Sequence, residues 1–379
     1  MIYLDYAAAT PICAEVLAAM QPYFSDVFYN PSAVYLPARQ AKEALETART
    51  TVAQQLGVQS PEIVFTAGGT EGNNLAITGV MTHFPGCSVV VSAVEHESVL
   101  APARKFNCSA ALVTEQGRVD LTDLRRKIAD DTVLVSVMYA NNEVGTLQPL
   151  RHIAAMLKEV RRERKAQGND VPLYFHTDAC QAANYLDLHV EKLGVDLMTL
   201  NGGKIYGPKQ TGALYVARRV QLSPVICGGG QEGGYRSGTE NVAGAVGFAA
   251  ALSKAQCLRP DETKRLNEVK NYAIALLRRS LPNATITGSL KHRLPNNMHI
   301  ALPGFDNERV LLQLEQRGIL AAAGSACSAS NAESSHVLRA MGVDDKTARS
   351  SLRLTTGRST TTADIEETVT ALTDITKSK

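Results

Sequence analysis

Two residues that follow separate short apolar runs, Lys204 and Asp178, have the side-chain chemistry most typical of a catalytic site in this chain. Lys204 stands on a glycine-bearing turn, in the run Asp196-Leu-Met-Thr-Leu-Asn-Gly-Gly-Lys204. Its amine is suited to forming a Schiff base, and Asp178 is suited to keeping a pyridinium nitrogen protonated. The pair therefore predicts pyridoxal phosphate (PLP) as a cofactor. The alternative interpretation is a surface lysine near a capping aspartate, since both residue types are mostly exposed in proteins.

A glycine-rich string follows another apolar run and precedes a helical pattern, in Ala67-Gly-Gly-Thr-Glu-Gly-Asn-Asn74. The free backbone N–H groups of a helix N-terminus, here at Gly69 and Thr70, are suited to binding a phosphate. The hydroxyl group of Thr239, in Tyr235-Arg-Ser-Gly-Thr-Glu-Asn241, is a further candidate donor. A plain glycine turn is the alternative interpretation of this string.

Three further polar residues lie near the ends of predicted strands. His96 is placed to stack on a cofactor ring and to move protons, because its ordinary pKa lies near neutrality; a structural role is equally compatible with its position. Gln181 follows Asp178 closely and is placed to reach a ring hydroxyl, and Asn142 is similarly placed after another strand.

Cys327 lies among small residues, in Gly324-Ser-Ala-Cys-Ser-Ala-Ser330. Such a segment leaves a thiol accessible, as a reactive cysteine requires. Arg353, in Ser350-Ser-Leu-Arg-Leu-Thr-Thr-Gly357, has the planar fork that binds a carboxylate through two hydrogen bonds. A surface ion pair is the alternative interpretation for Arg353.

The elements that must position these residues form an alternating pattern. Five short runs rich in Val and Ile predict buried strands: 62–66, 88–92, 132–138, 173–176 and 196–200. Helical patterns such as 38–56 lie between them, which indicates an α/β fold with a mostly parallel sheet. Ligands bind at the carboxyl ends of the strands in such sheets, and the polar strings above all lie there.

The pattern changes near residue 255, where a helix over 261–281 is predicted to precede short strands such as 297–302 and helices near 308–316 and from 362 onward. A chain of 379 residues exceeds one comfortable core. We therefore predict a large domain over 12–254 and a smaller α+β domain over 255–379 together with 1–11.

Composition excludes several function classes. A net charge of +2 gives no global attraction to nucleic acid or to anionic lipid. No apolar run is long enough for a membrane span, and the start does not resemble a signal peptide. The seven scattered cysteines predict a reducing cytoplasm, no disulfide framework and no metal site; the six other than Cys327 are expected to be small buried hydrophobes.

These strings together resemble the cysteine desulfurases of the group I, NifS/IscS-like branch of the class V aminotransferase family, over nearly the whole chain. The motifs that show the resemblance are Asn30-Pro-Ser32, Gly69-Thr-Glu71, Glu95-His96, Asn141-Asn-Glu-Val-Gly145, Asp178-Ala-Cys-Gln181, Arg236-Ser-Gly-Thr239 and Gly324-Ser-Ala-Cys327. The resemblance implies the type I fold of PLP enzymes and the conversion of L-cysteine to L-alanine.

The resemblance also implies a role for each candidate. Lys204 would be the Schiff-base lysine and Cys327 the nucleophile that becomes a persulfide. His96 would stack on the cofactor ring, Asp178 would pair with the ring nitrogen, and Gln181 would contact the ring oxygen. The Gly69–Thr70 turn would bind the phosphate. Asn142, Asn201 and Gly203 would also lie beside the cofactor. Asn142 and Arg353 would also engage the substrate.

Partners are implied too. Thr239 would reach the phosphate of a partner subunit, which predicts a homodimer with shared sites. The persulfide would pass to an acceptor protein for iron–sulfur cluster, thio-tRNA or DNA phosphorothioate synthesis.

The alternatives to a cysteine desulfurase are a selenocysteine lyase, another PLP enzyme of this fold and a non-catalytic scaffold. An aminotransferase would not need Cys327.

Two motifs depart from the family pattern. The family usually has Ser-x-His-Lys at the lysine, whereas here Asn201 replaces the serine and Gly203 replaces the histidine; Tyr35 also stands where a histidine usually ends the Asn-Pro-Ser motif. Losing a donor to a charged phosphate costs about 1.5–3 kcal/mol. We therefore expect weaker PLP retention than is usual for the family.

Overall fold

A computed structural model describes residues 1–324 and 334–377. Within these ranges the strands are β1 (Ile2–Tyr3), β2 (Ile63–Thr66), β3 (Ser88–Ser92), β4 (Asn107–Ala111), β5 (Thr132–Ser136), β6 (Tyr174–Asp178), β7 (Leu197–Asn201), β8 (Gly212–Val216), β9 (Thr285–Ile286), β10 (Asn297–Ala301), β11 (Ile319–Leu320) and β12 (Ser351–Thr355). The helices are α1 (Ala14–Met20), α2 (Pro22–Ser25), α3 (Leu36–Leu56), α4 (Gly69–His83), α5 (Glu97–Ala103), α6 (Leu121–Lys127), α7 (Leu150–Ala166), α8 (Val190–Leu193), α9 (Val242–Ser280), α10 (Asn307–Glu315), α11 (His336–Ala340), α12 (Asp345–Ala348) and α13 (Thr362–Lys377).

The largest sheet has seven strands in the order β2-β8-β7-β6-β5-β3-β4. β8 is antiparallel to both of its neighbours, and the other pairs are parallel. Its central strands are buried along their whole length, as expected for a sheet covered on both faces. The predicted α/β class with a mostly parallel sheet is confirmed, and because β2 and β7 run in the same direction, their carboxyl ends lie at one edge.

A second apolar core lies around the antiparallel sheet β12-β10-β9. It includes Ile2 and Leu4 from the start of the chain, the second half of α9, and α13. β1 pairs in parallel with β11, which attaches the first residues to this region. The proposed division at residues 254 and 255 falls inside the continuous helix α9, and it stays a prediction.

The predicted helix over 261–281 begins much too late. α9 starts at Val242 and continues past Pro260 to Ser280. Its first half consists mainly of small apolar residues that pack against α1 and α3. That burial stabilises the part of the helix that precedes Pro260. The local sequence signal, by contrast, places the helix start at the proline.

Candidate active site

The carboxyl edge of the large sheet brings most of the predicted residues to one cavity of about 260 Å³, called here the inner cavity. Asp178 is the last residue of β6, and Lys204 ends the short turn that follows β7, the next strand in the sheet. The predicted residues that line the inner cavity are Gly69, Thr70, His96, Asn142, Asp178, Gln181, Asn201, Lys204 and Arg353.

The Lys204 side chain is partly buried, and its amine points at the first turn of the chain. Nζ donates to the carbonyl oxygens of Ala7, at 2.8 Å, and Ala8, at 2.5 Å. Burial lowers the pKa of Lys204, because desolvation disfavours the ammonium form. A larger neutral fraction makes the amine a better nucleophile toward an aldehyde.

Asp178 is buried and accepts hydrogen bonds on both carboxylate oxygens. Oδ1 accepts from the backbone N–H of Cys180 at 2.9 Å, and Oδ2 accepts from Asn73 Nδ2 at 2.7 Å. Each carboxylate oxygen can accept a second hydrogen bond. The side chain is therefore fixed as an acceptor at the cavity wall, as the binding of a protonated ring nitrogen requires.

His96 caps the N-terminus of α5 and is joined to Asp178 through two residues that the sequence did not single out. Its Nδ1 lies 2.8 Å from Ser98 Oγ and 3.1 Å from the Ser98 backbone nitrogen. Ser98 Oγ in turn accepts from Asn73 Nδ2 at 2.8 Å. Asn73 follows Gly69 by four residues on α4, so helical periodicity would have placed it on the same face as the glycine turn.

The glycine string forms the N-terminus of α4, as predicted. Gly68 has φ 110°, a left-handed conformation that favours glycine. A Cβ at Gly69 would lie 2.7 Å from Cys180 Sγ, so only glycine fits there without a shift. The first turn of α4, where Thr70 is exposed, borders a second space of about 620 Å³, the outer cleft, whose lining includes Thr70, Asn201 and Gly203.

Asn201 and Gly203 shape the wall between these spaces. Asn201 Oδ1 accepts from the Gly203 backbone N–H at 2.9 Å. A Cβ at Gly203 would meet Asn201 Oδ1 at 3.4 Å and Lys209 Cγ at 3.6 Å, which is ordinary contact. Lys209 also lines the outer cleft and donates from Nζ to Thr10 O at 2.7 Å; it is a cation near the predicted phosphate position that the sequence analysis missed.

Arg353 is almost completely buried in β12, which excludes the surface ion pair. Nη2 donates to Asp5 Oδ1 at 2.6 Å, and Nη1 donates to Asn142 O at 3.1 Å. Nε is buried and has no hydrogen-bond partner among residues 1–324 and 334–377. Arg353 lines the inner cavity, where its guanidinium is a candidate to bind a small carboxylate.

The remaining predicted residues are placed as follows. Asn142 and Gln181 line the inner cavity, and Gln181 Nε2 donates to Ala7 O at 3.0 Å. Thr239 is exposed and lines neither space, so its contact with the phosphate of a partner subunit stays a prediction. Cys327 lies outside the residues that the structure describes.

The expectation that the other six cysteines are buried hydrophobes is wrong for two of them and holds only in part for the other four. Cys227 and Cys257 are exposed, and Cys13, Cys87, Cys108 and Cys180 are partly buried. Cys180 lines the inner cavity, where burial raises its pKa well above the ordinary value for a thiol. It is therefore a neutral thiol packed against the glycine turn and not a second nucleophile.

The residues present fit PLP. An amine, a buried carboxylate, an imidazole ring and a glycine turn at a helix N-terminus surround one cavity, which matches the aldehyde, ring nitrogen, ring face and phosphate of that cofactor. Within the described residues, no group of three or more His, Cys, Asp or Glu could hold a metal ion. None of the described helices is long and apolar enough to cross a membrane.

Comparisons with known proteins show what this chain is similar to. The family model described as aminotransferase class-V matches residues 2–367. A protein named cysteine desulfurase IscS from Dictyoglomus turgidum is 39% identical over 98% of this chain and 93% of its own length. A solved structure titled NifS-like protein has a TM-score of 0.91 at 29% identity, with full coverage of both chains. A second solved structure, titled SspA in complex with cysteine, has a TM-score of 0.77 at 32% identity and covers 94% of this chain and 98% of its own.

Proposed function

The chain belongs to the class-V aminotransferase family, with cysteine desulfurases as its relatives over the full length, and from this premise we propose how it desulfurates free L-cysteine. The C–S bond of cysteine breaks, its electron pair stays on the carbon, and that carbon takes up a proton to give L-alanine. An S–S bond forms between the released sulfur and the Cys327 thiolate, which leaves a persulfide. The relatives' names do not favour a selenocysteine lyase, another activity of this fold or a non-catalytic scaffold.

The observation that supports this function most directly is the shared cavity of Lys204 and Asp178. The two residues come from neighbouring strand ends, face one space and lie beside the His96 imidazole. PLP, when bound, supplies the electron sink that stabilises a carbanion next to the amino group. Lys204 would hold the cofactor and remove the substrate α-proton, Asp178 would pair with the ring nitrogen, and Arg353 would orient the substrate carboxylate.

The activity is tested by incubating the PLP-loaded protein with L-cysteine and a dithiol reductant, and measuring alanine and sulfide together. We expect the two products in equal amounts, because one sulfur leaves for each alanine formed. Alanine without sulfide or protein-bound persulfide, or no reaction at all in a protein that shows the PLP absorbance, would contradict the proposal.

The weak cofactor retention expected from Gly203 leads to a testable gain of function. A Gly203→His substitution should tighten PLP binding, because a restored donor to a charged phosphate contributes about 1.5–3 kcal/mol. That corresponds to roughly 10- to 150-fold in the dissociation constant. The space around Gly203 admits a Cβ at ordinary contact distances, so the first side-chain atom does not displace the turn.

The measurement is a titration of the apo-protein with PLP followed by absorbance. A Gly203→Ala variant is the matched control, since it adds a Cβ without a donor and should bind as the natural chain does. A Gly203→His variant that binds no more tightly than Gly203→Ala would show that the phosphate is already fully satisfied, with Lys209 as the nearest candidate for the compensating group.

We propose further that the active unit is a homodimer with shared sites. Large apolar side chains are exposed on one stretch of the chain: Phe24, Phe28, Val34, Tyr35 and Leu36, at 52–84% exposure. Such a cluster on the surface is typical of a protein interface. Thr239 is exposed as well and lies outside its own chain's cavities, which supports its assignment to a partner's phosphate.

Mixed dimers test this arrangement. Thr239→Val alone should weaken PLP binding by about 10-fold through the lost hydroxyl contact. When Thr239→Val subunits are mixed with Lys204→Ala subunits, each mixed dimer should regain one site of natural composition and natural affinity. If Thr239 acted within its own chain, no mixed dimer would contain an intact site, and cofactor binding of natural affinity would not return.

The Cys327 persulfide is proposed to pass to an acceptor protein, and iron–sulfur cluster, thio-tRNA and DNA phosphorothioate synthesis all remain candidate destinations. A cytoplasmic location fits the two exposed thiols, Cys227 and Cys257, which persist as thiols only in a reducing compartment. Incubating the enzyme with cysteine and a cell extract of its source, then trapping labelled persulfides, would identify the acceptor.

A further inference from the structure

A short polar chain links the carboxylate of Asp178 to the imidazole of His96 on the wall of the inner cavity. Asn73, on α4, lies between them and donates from Nδ2 to Asp178 Oδ2 at 2.7 Å and to Ser98 Oγ at 2.8 Å. Ser98 Oγ is 2.8 Å from His96 Nδ1. Asn73 is 1% exposed and Ser98 is 8% exposed, so water competes little for these contacts.

The orientation of the Asn73 side-chain amide determines the direction of the hydrogen bonds that it makes to Asp178 and Ser98. The reversed amide would place Oδ1 against the Asp178 carboxylate, where two acceptors would repel. In the observed orientation Oδ1 is buried and has no partner in the described part of the chain, so the two Nδ2 bonds outweigh that cost. Asn73 therefore uses both of its N–H groups, one toward Asp178 and one toward Ser98.

The imidazole tautomer follows from the donor that faces Nδ1. The Ser98 backbone nitrogen, 3.1 Å from Nδ1, can only donate. His96 Nδ1 is therefore an acceptor, and the proton of the neutral imidazole ring lies on Nε2. Ser98 Oγ accepts from Asn73 and keeps its own hydrogen, which is free to donate to the same Nδ1.

We propose that Asn73 and Ser98 are positioning residues that hold His96 as the Nε2–H tautomer and thus present a proton donor to the inner cavity. His96 lines the inner cavity, and its ring bonds to the described residues through Nδ1, so the Nε2–H is available to substrate. His96 then gives a proton in the reaction, and Lys204 is left as the base that removes one. The assignment of roles rests on the desulfurase function proposed above, whereas the tautomer itself does not.

The tautomer is measured by nitrogen-15 NMR of the PLP-loaded protein labelled in histidine, with the His96 signals assigned by their loss in His96→Gln. We expect one protonated and one unprotonated ring nitrogen, with the hydrogen on Nε2. This readout needs no turnover, so it stands even if the proposed activity fails. A His96 spectrum with the hydrogen on Nδ1, or with hydrogens on both nitrogens near neutral pH, would overturn the proposal.

The positioning role is measured by steady-state kinetics on Ser98 variants. Ser98→Ala should lower kcat about 10-fold, a part of the 10²–10⁴-fold that a general acid contributes, and leave KM and PLP affinity nearly unchanged. Ser98→Thr keeps the hydroxyl and should restore most of kcat. Asn73→Leu combined with Ser98→Ala should lose little more in kcat than Asn73→Leu alone, because both act through one chain. A natural kcat in Ser98→Ala, or no recovery in a folded, PLP-loaded Ser98→Thr, would overturn the role.

Discussion

Lys204→Ala is expected to abolish the yellow absorbance of the bound cofactor and to reduce alanine formation by about 10³-fold or more. The amine is the proposed point of covalent attachment in the inner cavity, and burial lowers its pKa so that the neutral form is accessible. In the natural chain its Nζ is directed by the carbonyl oxygens of Ala7 and Ala8, so the residue is held for this task before any ligand binds. The absorbance spectrum of the purified variant, followed by an alanine assay, measures both effects.

Lys192→Ala is the matched control for this experiment. Lys192 is an exposed lysine whose Nζ pairs with Asp187 at 2.8 Å, and it lines neither the inner cavity nor the outer cleft. An exposed pair of this kind contributes little to stability. It should keep both the absorbance and the activity. A Lys204→Ala protein that retained the natural spectrum would show that the cofactor is attached elsewhere, and the assignment of the inner cavity would be wrong.

The sequence predicted the positions of Lys204, Asp178 and His96 well because one local rule determines them. Each lies at or just after the end of a short apolar strand, and the carboxyl ends of parallel strands meet at one edge of a sheet. The rule needs only the order of elements along the chain, so the fold class and these three residues of the inner cavity could be predicted from periodicity and spacing.

Contacts between elements were not accessible in this way. Asn73 and Ser98 are 25 residues apart, and their hydrogen bond depends on how α4 and α5 pack across the sheet. Arg353 pairs with Asp5, which lies 348 residues earlier in the chain, and Arg353 is buried. The sequence alone could equally assign the charge of Arg353 to the surface. The early start of α9 was missed for the same reason, since burial against α1 and α3 stabilises a segment whose local signals are weak.

Cys327→Ala is expected to separate cofactor binding from sulfur transfer. The variant should keep the PLP absorbance, because none of the described residues that line the inner cavity is changed. It should release no sulfide and accumulate no persulfide from L-cysteine, a loss of about 10³-fold or more, because the substitution removes the thiolate proposed as the nucleophile that accepts the sulfur. Sulfide release with a dithiol reductant, and persulfide labelling without one, measure the two outcomes.

The other cysteines supply the controls that make this result specific. Cys257→Ala removes an exposed thiol on α9, and Cys180→Ala removes the thiol in the inner cavity whose pKa is raised by burial. Neither change should reduce persulfide formation, because an exposed cysteine remote from the cavity does not reach the substrate and a protonated thiol is a poor nucleophile. Full activity in Cys327→Ala together with a loss in Cys180→Ala would transfer the sulfur-accepting role to Cys180, and the reaction would then be confined to the inner cavity without an external persulfide.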